Sequence, residues 1–173
     1  RTLVDAMAVN GVRRCLLVSS VAVYGLSQHE PDESSPLCPD SPYGESKVQS
    51  ESVFAAWQQA NDTRSLVVLR PVVIFGEGNR GNVYTLIEQI RRRRFLMVGR
   101  GNNRKSVACV DNLVAFMASQ IDAGPGVRYF NYADKPDRPV RELVATIEAA
   151  LDRPAKHRLH LPQWLGLLAG YCF

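Results

Sequence analysis

The chain has 173 residues, 46% hydrophobic and 22% charged, with a formal net charge of +4. That composition suits a globular protein of one domain or the larger part of one. Cys15, Cys38, Cys109 and Cys172 are scattered, which excludes a dense disulfide framework and predicts thiols in a reducing, cytoplasmic setting. Among the histidines only His157 and His160 lie close together, without a carboxylate or cysteine cluster, so no metal is expected. The opening Arg1-Thr2-Leu3-Val4-Asp5 does not read as a secretory signal. No apolar run approaches the roughly 20 residues of a bilayer span. Neither membrane insertion nor a nucleic-acid partner is expected. Part of the positive charge sits in Arg91-Arg92-Arg93-Arg94. A solvated helix end accounts for this run, and an anionic partner or ligand is the sharper reading.

Residues 1–10 read as the end of a helix, with Leu3, Val4, Met7 and Ala8 on one face and Asn10-Gly11 as its stop. Cys15-Leu16-Leu17-Val18 is a continuous apolar run, as in a parallel strand buried on both faces, and Ser19 and Ser20 follow at its carboxyl end. Residues 25–42 read as a surface loop. Ser41-Pro42 opens a helix that runs to about Ala60. A second buried strand covers residues 65–69, closed by Arg70-Pro71. The glycine-bearing segment 76–81 is a loop, and Asn82 is expected to cap a helix with Val83, Leu86, Ile87 and Ile90 on its apolar face. Short strands are predicted at 95–98, 106–110 and 128–131, and helices from Asp111 to about Ala118 and over 140–151. Trp164–Phe173 reads as a buried apolar helix cut off early. Alternating strands and helices predict a doubly wound, mainly parallel α/β sheet.

Chemistry concentrates in Tyr43-Gly44-Glu45-Ser46-Lys47. A tyrosine and a lysine four residues apart on a helix share a face. A free phenol titrates near 10 and is a poor base at neutral pH. A cation about 4 Å away at an effective dielectric of about 20 is worth roughly 4 kcal/mol, or about three pKa units. Such a pair is common by chance, but here Ser19-Ser20-Val21-Ala22-Val23-Tyr24-Gly25 stands upstream, directly after a buried strand. Ligands of open α/β sheets gather beyond the carboxyl ends of the strands.

Taken together, residues 17–25, Ser41–Lys47, and Leu69-Arg70-Pro71 with Phe75-Gly76 resemble the extended short-chain dehydrogenase/reductase family. Within it the chain is similar to the NAD-dependent epimerase/dehydratase group. The resemblance implies a partial Rossmann-like sheet, over residues 1–80 and about 106–150, with a smaller substrate-binding part over about 81–105 and 151–173. It implies Ser20, Tyr43 and Lys47 as the catalytic set. Ser19, Tyr43, Lys47, Pro71 and Val73 would hold NAD or NADP, with NAD favoured. Asn82 and Arg104 would hold a nucleotide-diphosphate sugar, and the complete protein would be a homodimer. Dehydratases of the family carry an acidic pair just after the catalytic threonine. Val21 and Ala22 stand there and cannot transfer a proton, so epimerisation or reduction of a 4-keto sugar is expected. Two rivals remain: a hydroxysteroid- or flavonoid-type dehydrogenase, and a non-catalytic dinucleotide-binding protein.

Against the family pattern the chain starts in what would be the fourth helix, and the glycine-rich pyrophosphate turn is absent. These 173 residues alone are therefore expected to bind dinucleotide poorly. A titration giving tight, specific affinity for them would contradict that expectation.

Overall fold

The computed structural model describes residues 2–26, 30–152 and 160–161. The elements in order are α1 (Thr2–Val9), β1 (Arg14–Val18), a 3-10 turn (Val21–Tyr24), α2 (Pro42–Gln59), β2 (Ser65–Pro71), β3 (Val73–Phe75) and α3 (Asn82–Arg91). They continue with β4 (Met97–Val98), β5 (Arg104–Cys109), α4 (Val110–Ser119), β6 (Gly126–Tyr132), β7 (Asp134–Pro139), α5 (Val140–Ala150) and β8 (His160–Leu161). Contacts divide the chain into two units, Arg1–Val72 with Ala108–Ala133, and Val73–Val107 with Asp134–Phe173.

The first unit holds a parallel sheet in the order β1-β2-β6. Every residue of β2 is buried, as a central strand covered on both faces requires. On one face Leu66 and Val68 pack with Trp57 of α2, and Val4 and Met7 of α1 join that cluster. On the other, Phe116 of α4 meets Phe130 edge-on at 5.3 Å and Tyr132 at the same distance. This is the doubly wound, Rossmann-like layering expected from the alternating elements. The helix predicted from Ser41-Pro42 starts there: the Ser41 side chain accepts a bond from the Gly44 amide at 3.2 Å, and Pro42 opens α2.

One charged pair sits inside this apolar layer. Arg70 and Glu51 are each 3% exposed. The Arg70 guanidinium donates to both Glu51 carboxylate oxygens, at 3.0 and 2.7 Å, and to the Tyr24 hydroxyl at 2.6 Å. It also lies 5.1 Å from the Tyr24 ring and 4.8 Å from that of Tyr129. Tyr24 in turn donates to Asn131 Oδ1 at 2.9 Å. Burial opposes the Arg70 charge, but the Glu51 carboxylate and Tyr24 outweigh it and hold the guanidinium above its usual range.

In the second unit one three-stranded sheet has the order β3-β5-β7, and β5 and β7 run antiparallel. A two-stranded sheet pairs β4 with β8. Ile90 of α3, Met97 and Val144 of α5 form its core. β7 escapes the sequence pattern because Asp134-Lys135-Pro136-Asp137-Arg138-Pro139 is rich in proline and charge. It is an edge strand, where proline is tolerated. The strand expected at 95–98 shortens to β4, and Phe95 packs on the core instead. The strands expected at 106–110 and 128–131 fall at β5 and β6, shifted or lengthened by a few residues. His29, His157, Cys172 and the apolar stretch 164–173 lie outside the described residues.

Removing one partner of a buried ion pair strands the other charge, at a cost of about 3–5 kcal/mol. Glu51→Leu and Arg70→Met should each destabilise by that order, and the double variant by clearly less than the sum, as read by urea unfolding. Additive losses would show that the pair is not coupled.

Candidate active site

β1 ends at Val18, and the Ser19 amide extends its ladder by donating to the Leu69 carbonyl at 2.7 Å. The Ser19 side chain is buried, 3% exposed, and its Oγ has no hydrogen-bond partner. Ser20, in extended backbone, caps the 3-10 turn: its Oγ accepts from the Ala22 amide at 3.2 Å. Gly25 then takes a positive φ of 69°, where an added Cβ would collide with the Cys38 carbonyl oxygen. The segment read as a surface loop is tied down behind it. The Cys38 amide donates to the Val23 carbonyl at 3.0 Å, the Leu26 amide to Asp40 at 3.0 Å, and the Asn131 amide to Glu33 at 2.6 Å.

The first turn of α2 presses on this turn. A Cβ at buried Gly44 would stand 2.5 Å from the Ala22 carbonyl oxygen and 2.9 Å from Pro39 Cβ, so only glycine permits the approach. Tyr43, next to it, is 55% exposed. The Lys47 ammonium donates to the Val18 carbonyl at 3.1 Å and lies 5.6 Å from the Tyr43 ring centroid. Ser19, Ser20, Tyr43 and Lys47 therefore come together where β1 ends and α2 begins. Pro71 closes β2, the neighbouring strand, and is buried.

Glu51 continues the Tyr43–Lys47 stripe one further turn, and through Arg70 it ties this face of α2 to β2 and to Tyr24 of the 3-10 turn. Sequence reasoning did not single out Glu51, Arg70, Tyr24 or Gly44. The four-residue spacing of Tyr43, Lys47 and Glu51 was the available signal.

Val73 and Asn82 belong to the second unit. There they line a cavity of about 250 Å³ with Leu86, Phe95, Lys105 and Val107. Asn82 is not the helix cap: Gly81 holds that position, and the Asn79 carboxamide oxygen accepts from the Gly81 amide at 2.7 Å. The Asn82 side chain is thus not spent on capping. Arg104 does not line the cavity. It is exposed and donates to the Asp137 carbonyl at 2.5 Å. Strand alternation explains this, since Lys105 and Val107 face the cavity and Arg104 takes the opposite side of β5. Lys135, with a smaller contribution from Ser106, holds the Asp137 carboxyl below the usual carboxylate range.

Residues 1–132 match the family model described as the NAD dependent epimerase/dehydratase family. The chain belongs to that family. An "N-acetyl-alpha-D-glucosaminyl-diphospho-ditrans,octacis-undecaprenol 4-epimerase" of Escherichia coli O157:H7 is 47% identical over 100% of this chain and 53% of its own length. A UDP-glucose 4-epimerase of Vibrio cholerae is 27% identical over 95% of the chain and 51% of its own length. Among solved structures, UDP-glucuronic acid 4-epimerase from Bacillus cereus in complex with NAD superposes with a TM-score of 0.78, at 18% identity, over 93% of this chain and 54% of that one. The chain thus spans about half the length of the relatives it matches. Among the described residues no helix is long and apolar enough to cross a membrane, and no group of three or more His, Cys, Asp or Glu side chains could hold a metal ion.

Gly44→Ala places a methyl group against backbone that cannot swing away. It should cost about 1–3 kcal/mol, the usual penalty of overpacking, and should depress turnover of the complete protein beyond what reduced folding explains. Thermal unfolding together with activity per folded molecule checks both parts. Wild-type stability and turnover in the variant would contradict the close packing.

Proposed function

We propose that the complete protein is a nicotinamide-dependent 4-epimerase acting on an N-acetylhexosamine linked to a diphosphate. One observation carries the catalytic part: a lysine ammonium fixed to the Val18 carbonyl stands beside the ring of an exposed tyrosine at the carboxyl end of a parallel strand. The substrate class draws support from the E. coli relative, which shares 47% identity over the whole chain and is named for a diphosphate-linked N-acetylglucosaminyl group. In most relatives of this kind the carrier is a nucleotide, as in UDP-glucose 4-epimerase. The diphosphate is common to both carriers.

The residues at the strand ends fit a nicotinamide dinucleotide. Ser19 offers a buried hydroxyl with no other partner, and the Lys47 ammonium has donor capacity beyond its single bond to Val18. Ser19, Tyr43, Lys47, Pro71 and Val73 would hold it, with NAD favoured over NADP; bound there, it supplies a hydride acceptor and donor. Tyr43 takes the proton of the sugar hydroxyl at its phenolic oxygen and returns one in the reverse sense. Ser20 offers its hydroxyl to the same sugar oxygen. Val21 and Ala22, on the turn beside Ser20, have no group that can transfer a proton, so no water is eliminated here in the manner of the family's dehydratases. Asn82 is read as a substrate contact, and Arg104 is retained from the family pattern as a diphosphate ligand. The homodimer reading rests on the outer faces of α1 and α2, where Val4, Val53 and Ala56 line a shallow apolar depression and Leu3 is 64% exposed.

The complete protein, supplied with UDP-N-acetylglucosamine and separately with a polyprenyl-diphosphate-linked N-acetylglucosamine, should produce the galacto epimer from one of them. Tyr43→Phe should lower turnover by about 10²–10⁴-fold, the usual contribution of a general acid–base. Near-normal turnover in that variant, or reduction without epimerisation, would refute the proposal.

A further inference from the structure

Four consecutive arginines, Arg91–Arg94, close α3, and the catalytic reading leaves them without a role. All four are exposed. Glu88 takes Arg91 at 2.7 and 2.9 Å and Arg92 at 3.0 Å. Arg91 above all brings its carboxyl down to about 2. Glu88 is therefore ionised at ordinary pH and offsets one charge of the four. An open groove on this face is lined by Tyr84, Glu88, Arg92, Arg94 and Leu96. Tyr84 and Leu96 leave 43% and 46% of their surface exposed.

A solvated helix end accounts for arginines. It does not account for an exposed tyrosine and leucine in the same groove. Guanidinium groups pair with phosphate through forked hydrogen bonds, tyrosine favours the headgroup level, and leucine reaches the acyl boundary. We propose that this face docks the protein on a bilayer surface bearing anionic phospholipids. The contact is peripheral, because the opposite side of α3 is already committed: Leu86 and Ile90 pack with Met97 and Val144. Leu96 also lines the cavity that Asn82 and Lys105 share, so the docking face adjoins that cavity. The proposal stands on this face alone and does not require the catalytic reading.

The test is co-sedimentation of the complete protein with vesicles of phosphatidylcholine, and with vesicles of equal parts phosphatidylglycerol and phosphatidylcholine. Binding should need the anionic lipid and should weaken steeply as salt shortens the screening length. Each arginine near such a surface changes affinity roughly fivefold, so Arg92→Ala, Arg93→Ala and Arg94→Ala combined should weaken binding on the order of 100-fold. The corresponding triple lysine variant should retain most of it, and Tyr84→Ser with Leu96→Ser should weaken binding even at low salt. Equal partition into both vesicle types, or undiminished binding by the triple alanine variant, overturns the proposal. So does abolition of binding by millimolar inorganic phosphate, which marks a free-anion site, or equal affinity for a single-stranded oligonucleotide, which marks a nucleic-acid surface.

Discussion

The bidentate bond between Arg70 of β2 and Glu51 of α2 is the constraint on which the described site depends. It is a charged pair inside an apolar layer, and such a pair is tolerable only when every donor and acceptor finds a partner. Here a third donor of Arg70 goes to the Tyr24 hydroxyl, and Tyr24 donates its own hydrogen bond to Asn131 on β6. One helix, two strands and the turn after β1 are thereby fixed to one another. The faces of the Tyr24 and Tyr129 rings cover the guanidinium, which screens the pair from water.

This buried stitch matters because Glu51 lies on the same helical stripe as Tyr43 and Lys47. This part of α2 is fastened at three heights. Gly44 lies against the Ala22 carbonyl, Lys47 bonds the Val18 carbonyl, and Glu51 grips Arg70. Tyr43 stands at the open end of that stripe, half exposed. A scaffold that fixes two of the three side chains of this stripe and leaves the third accessible is suited to acid–base chemistry, which needs its proton carrier within hydrogen-bond reach of the substrate. The substitutions that matter most for such a site need not touch substrate at all.

Much of the first unit was legible in the sequence. The apolar runs at Cys15–Val18 and Leu66–Leu69 marked two strands, of which the second is buried throughout and the first, at the end of the β1-β2-β6 order, only partly, and Ser41-Pro42 marked the helix start through capping chemistry. The buried network was not legible, since Arg70 beside Pro71 reads locally as a strand terminus. Only the parity it shares with Leu66 and Val68 turns it toward α2. The second unit was harder. Its edge strand β7 carries two prolines and four charged residues, and β3 is three residues long, so neither shows a strand period. Asn82 looked like a cap because asparagine favours that position, yet Asn79 folds the preceding turn and moves the cap to Gly81. Arg104 was singled out by family pattern, whereas strand alternation gives the cavity wall to Lys105. The residues proposed for the site lie together where motif spacing and strand ends agree, and apart where only resemblance pointed.

A structure of the complete protein with dinucleotide and a diphosphate-linked N-acetylhexosamine bound tests the central claim most directly. The account predicts the Tyr43 hydroxyl and Ser20 Oγ both within about 2.6–3.2 Å of one sugar hydroxyl oxygen, with Lys47 still bonded to the Val18 carbonyl. A sugar seated in a cleft that Tyr43 and Ser20 do not share, with the Tyr43–Lys47–Glu51 stripe facing bulk solvent, would contradict it.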